Sequence, residues 1–257
     1  AVATVSNAAG SEGLATSVSV GSTTITAIDP VSSISGSTTL TVIADITLRG
    51  ASSAGASSGV LDLTIPTPAG TREGDVMIAS IAVRPSTATI TPPASGWTLV
   101  QRLDNATGIT NSLAVYSRVA EAGEPANHTW TLSTSTGSAG GMATFYGVDT
   151  SAPVDVEGGQ STSSSLTHDT PSVTTTEADT MLFTAHAFAS SATWTPPTGM
   201  TEAFDVASSD VSNAAGISLE GNYELQVTAG ATGIKSAVAS AYSDVGNTHI
   251  LALRRAP

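Results

Sequence analysis

One stretch of this chain occurs twice. Glu73 to Pro93 (EGDVMIASIAVRPSTATITPP) aligns without a gap, at an offset of 104, on Glu177 to Pro197 (EADTMLFTAHAFASSATWTPP), with nine of 21 positions identical. The identities fall where backbone geometry is decided: Asp75 and Asp179 before an apolar run, Met77 and Met181 inside it, and Thr-Pro-Pro after it. Proline cannot donate to a strand ladder and biases the preceding residue towards extended geometry, so the Pro pair stops a strand before a turn. Looser matches follow, from Gly96-Trp97 to Gly199-Met200, from Asp104 to Asp205 and from Ser112-Leu113 to Ser218-Leu219. Two copies of one unit therefore make up most of the chain.

The unit is built of strands. Period-two alternation predicts strands near 60–65, 75–84, 97–103, 111–119, 127–133 and 140–148 in the first copy. The second copy gives 164–168, 179–188, 199–206, 216–228, 233–242 and 247–254. No segment sustains a capped helical period, so the fold class is all-β. Val76 to Val83, Met181 to Phe188 and Ile250 to Leu253 are nearly unbroken apolar runs, the signature of strands covered on both faces. That favours one large antiparallel, jelly-roll-like sandwich, with copies at about 60–149 and 164–254, over two separate small ones.

Upstream, VATVS (2–6), GSTTITAI (21–28) and GSTTLTVI (36–43) alternate apolar and hydroxyl side chains. Gly or Asp-Pro marks each break, which gives about half of a small sandwich over residues 1–43. VATVS, GLAT (13–16), GSTTITA (21–27) and GSTTLTV (36–42) resemble the second half of a bacterial immunoglobulin-like domain of group 2. The resemblance implies further strands before them, so the apolar face of Val5, Ile25, Ile28, Leu40 and Val42 is expected to be completed by upstream sequence or by a neighbouring copy. The boundary is placed near residue 44, and Ala44 to Gly59 is expected to be a short strand, Ile46 to Arg49, followed by a flexible Gly/Ser/Ala loop.

The remainder, 44–257, resembles a β-sandwich module of bacterial surface or secreted proteins and of phage virion proteins. GDVMIA (74–79), PPASGWTLV (92–100), SLAVYSRVA (112–120), EPANHTWTL (124–132), FYGVD (145–149), TPPTGM (195–200) and LALR (251–254) carry that resemblance. It implies an architecture and an extracellular, cell-surface or virion location, and no chemistry.

Composition narrows the function classes. Only 11% of residues are charged and the net charge is −13, while Ser and Thr number 75, so an acidic, hydroxyl-rich surface repels phosphate backbones and anionic membranes. Nucleic acid is not an expected partner, and membrane insertion is not expected, since no apolar run reaches 18 residues. Cysteine is absent, which removes disulfides and thiolate chemistry.

Candidate sites are few. Asp149, Asp155 and Glu157 crowd one connection and are candidates for a calcium ion, which takes six to eight oxygens, although no D-x-D-x-D-G run is present. Trp130, Tyr146, Tyr223 and Tyr242 are candidate platforms for a glycan. His128, His168, His186 and His249 show no metal spacing. Gly55 to Gly59 matches G-x-S-x-G formally, but its flanks suit a linker. Lys235 is the sole lysine; a crosslink to Asn or Asp would need it buried, and Ile234 and Val238 on the opposite face predict exposure. The expected function is a non-enzymatic structural or adhesive element that assembles with copies of itself or a larger surface assembly. The alternative is a carbohydrate-binding module for a cell wall or capsule.

Overall fold

The computed structural model describes residues 1–93, 96–208 and 216–257; the Ala94-Ser95 step of the PPASGWTLV motif lies outside them. The chain divides into two compact units, Ala1–Asp45 with Ala256–Pro257, and Ile46–Arg255.

The first unit consists of two hairpins. β1 (Ala3–Val5) pairs antiparallel with β2 (Ala15–Ser17), and β3 (Gly21–Ile28) with β4 (Ser35–Val42). Ile25, Leu40 and Val42 are half-buried, while Val5, Leu14, Val18, Val20, Ile28, Val31 and Ile34 are exposed. Val5 and Ile28, expected on one apolar face with the other three, stand in solvent instead.

The second unit is all-β and antiparallel. Its first copy holds β5 (Thr47–Ala56), β6 (Asp62–Pro66), β7 (Val76–Arg84), β8 (Ile90–Thr91), β9 (Thr98–Asn105), β10 (Asn111–Val119), β11 (Asn127–Leu132) and β12 (Gly137–Tyr146). The second holds β13 (Val154–Ser165), β14 (Thr167–Asp169), β15 (Thr180–Phe188), β16 (Trp194–Thr195), β17 (Thr201–Ala207), β18 (Ser218–Gln226), β19 (Ser236–Ala239) and β20 (Asp244–Leu253). In each copy a five-stranded sheet faces a three-stranded one. The orders are β5-β12-β7-β10-β9 with β6-β11-β8, and β13-β20-β15-β18-β17 with β14-β19-β16. Numbered within a copy, both read 1-8-3-6-5 and 2-7-4, a jelly-roll order with its fifth strand on the larger sheet.

The two large sheets pack on each other. Val76, Ile78, Leu113, Val115 and Phe145 of the first copy share one buried cluster with Met181, Phe183, Leu219, Leu251 and Leu253 of the second. β5 lies against β17 and β13 against β9, so exchanging the copies maps each contact onto the other, the relation of an isologous interface. The unbroken apolar runs are explained: β7 and β15 are covered by the opposite copy on one side and by their own small sheet on the other. The expectation of one large sandwich becomes two sandwiches fused through a common core.

Three expectations need correction. The Gly/Ser/Ala tract is not a flexible loop: Thr47–Ala56 is a ten-residue strand paired with β12. Its small residues serve close approach, because a Cβ on Gly55 would lie 2.0 Å from the Ala207 carbonyl oxygen. The same step ends the G-x-S-x-G match, which runs off the end of a strand with no helix behind it. β13 has no counterpart among the expected strands. Finally, the ungapped offset of 104 fails inside the strand. Val83 pairs with Ser112 and Phe188 with Ser218, which makes Val76 the counterpart of Met181 and the structural offset 105. With period-two side chains, that single residue decides which face meets the central core.

Asp75 closes the turn that leads into β7, accepting from the Arg72 backbone N–H at 2.7 Å, and it also pairs with Arg49 at 2.6 Å.

Candidate functional site

The two sandwiches differ most between their own sheets. In the first, Leu63, Ile65, Ile81, Ala114, Tyr116, Trp130 and Leu132 fill this space as one apolar cluster. Ladder register places His168, Thr170, His186, Glu220, Asn222, Ala237 and Ala239 at the same positions of the second. Part of the lost volume is replaced by Phe188 and Trp194, whose rings meet edge-on with centroids 5.0 Å apart. What remains is a buried polar cluster on β15 and β18.

Its histidines are neutral. His186 Nε2 donates to the Lys235 carbonyl at 3.2 Å, since a carbonyl can only accept, and His168 Nε2 donates to the Ser165 carbonyl at 3.1 Å. Burial lowers both pKa values to about 4. His186 Nδ1 then faces Glu220 Oε2 at 4.0 Å, too far for a hydrogen bond. Burial pushes the Glu220 carboxyl up to about 8, with the Glu202 and Asp205 carboxylates adding to the rise and the Asn222 amide opposing it. Burial also raises Asp205 to about 6.

These shifts carry a sign. A carboxyl raised in the folded state keeps its full stability contribution below the unfolded value of 4.5 and loses it as pH climbs to about 8. The histidines act oppositely, their contribution being lost as pH falls from 6.5 towards 4. At pH 6.5 the unfolded histidines are still half protonated and offset Glu220, so only as pH rises from about 7 towards 8 does Glu220 dominate among these groups. We expect stability to fall as pH rises from 7 to 8, and Glu220→Gln to flatten that fall. Urea midpoints at the two pH values test this, and an equal slope in the variant would refute it.

Lys235 corrects another expectation. Its side chain is 14% exposed and pairs with Glu224, whereas Ile234 and Val238 are the exposed neighbours at 63% and 39%. Alternation fixes that the lysine and these two residues take opposite faces, and it is the lysine's face that turns inward.

The candidates named from sequence are scattered. Asp149 Oδ1 accepts from Ser151 N and Oγ, Asp155 from Thr176 and Arg254, and Glu157 from His249 Nε2 at 2.9 Å. Each carboxylate is engaged with a different neighbour, and among the described residues no group of three or more His, Cys, Asp or Glu is poised for a metal. Trp130 is fully buried and Tyr223 packs on Phe145 at 6.1 Å, so neither offers an open platform. Tyr146 is 36% exposed but carries the Arg49 guanidinium 4.7 Å from its ring centre; Tyr242 is 44% exposed. His128 accepts from Trp97 Nε1 at 3.2 Å beside the Arg118–Glu124 ion pair.

Glu220, Asn222 and Glu224 are not among the residues that the sequence singles out. Their signal is the alternation of Ser218, Glu220, Asn222 and Glu224 along β18, which reads equally well as a solvated face. Scans against protein-family models, curated proteins and solved structures returned no match.

Proposed function

We propose that the chain is a non-enzymatic structural or adhesive element of an extracellular, cell-surface or virion assembly, joined to its neighbours through the N-terminal hairpins. The supporting observation is the contrast between the units. Residues 46–255 bury two full sets of strands around a common core, while the hairpins hold Leu14, Val18, Val20, Ile28 and Ile34 in solvent at 58% exposure or more. Two-stranded sheets are marginal alone and keep unpaired edges, so they gain stability by pairing with or packing on another chain. Ion pairs such as Arg118–Glu124 and Arg254–Asp155 tie charged groups to the framework, which suits a scaffold.

Sedimentation of the full chain and of residues 46–257 over a range of concentrations tests the reading. We expect concentration-dependent association of the full chain and a monomer for the shorter one. A monomeric full chain with residues 1–45 protected from proteolysis would contradict it.

A further inference from the structure

The geometry points to an intramolecular isopeptide bond between Lys235 Nζ and Asn222 Cγ, formed inside the second sandwich with Glu220 as proton donor and Glu224 as base. The inference is independent of the structural role proposed above.

Three observations converge on it. First, the sole lysine of the chain turns its side chain between the sheets. Second, Glu220 and Asn222 are fully buried, and neither the carboxyl oxygens of the one nor the amide atoms of the other make a hydrogen bond of ordinary geometry among the described residues, although the Asn222 amide lies near enough to the Glu220 carboxyl to oppose its upward shift. Each such orphan costs about 1–3 kcal/mol, so the cluster needs an explanation. Third, register places the nucleophile. His186 is the cross-strand partner of Glu220 and holds the Lys235 carbonyl, while Lys235 Nζ reaches Glu224. The Lys235 carbonyl is thus held from the Glu220 side and its Nζ from the Glu224 side, and Asn222 lies between these two acids on the same face of β18.

The flanking acids differ in surroundings, Glu220 fully buried and Glu224 half-buried, which is what the reaction needs. Burial keeps Glu220 protonated at neutral pH, and Glu224 lies against the ammonium. Glu224 takes a proton from the Lys235 ammonium, and the free amine adds to Asn222 Cγ. Glu220 delivers its proton to Asn222 Nδ2 and recovers one from the attacking nitrogen. The Cγ–Nδ2 bond breaks, the Cγ–Nζ bond remains, and ammonia leaves with the proton held by Glu224. Ammonium is the only by-product, and nothing is oxidised or reduced.

Intact mass of the folded, full-length protein tests the inference. We expect a mass below that of the sequence by one ammonia, about 17 Da, and a fragment joining the peptides around residues 222 and 235. Lys235→Arg and Asn222→Ala should each show the full mass of their sequence. Glu220→Gln, which preserves volume, should fold and retain the ammonia. Full mass in the folded wild-type protein would overturn the inference. So would a loss that persists in Lys235→Arg, because an Asn222 succinimide sheds the same ammonia without the lysine.

Discussion

Gly141→Val is expected to destabilise the protein by about 3 kcal/mol, and Phe204→Ala in the same chain is expected to remove much of that penalty. Gly141 lies in β12 on the central interface, where a Cβ would come within 2.2 Å of the Phe204 ring. The ring belongs to β17 of the other copy and cannot retreat, because a Cβ on Gly221 would also lie 2.4 Å from it. Two glycines, one from each copy, thus form the slot for one aromatic ring. Overpacking ordinarily costs about 1–3 kcal/mol, and a ring held from both sides puts this site at the upper end. Phe204→Ala alone should cost about 3–5 kcal/mol through the cavity it leaves. The double variant should be more stable than the sum of the two by more than about 1 kcal/mol, and additive effects in urea unfolding would show that ring and glycine do not meet.

Neither copy is expected to fold without the other. Separation would expose Val76, Ile78, Leu113 and Phe145 on one side and Met181, Phe183, Leu219, Leu251 and Leu253 on the other. At roughly 1.5–3 kcal/mol for each large side chain, the loss rivals the ~5–15 kcal/mol net stability of a whole domain. Expressed alone, residues 46–149 or 150–257 should lack the dispersed amide spectrum of a native sheet. A well-dispersed spectrum from either half would show that its core is sufficient.

The sequence is most readable where strands are long and apolar. β7, β10, β15 and β20 fall close to their expected positions because both of their faces are buried. The edge strands β5 and β13 read as linker or not at all, since close packing on the other copy demands the Gly, Ser and Ala that elsewhere mark flexible chain. The duplication is visible, but identical Met and Asp residues pull the alignment one step out of register, and only the ladders show the slip. Lys235 and the β18 acids are illegible for a related reason. Alternation reveals that a strand has two faces without saying which one turns inward, and in the second sandwich the polar face does.

The central claim is that both copies share one core and open together. Hydrogen exchange of the intact chain, followed by mass spectrometry on peptides from β7 (Val76–Arg84) and β15 (Thr180–Phe188), tests it most directly. Amides in both strands should exchange only through a common opening, with the same free energy and the same denaturant dependence. Exchange of one strand while the other stays protected would contradict the account.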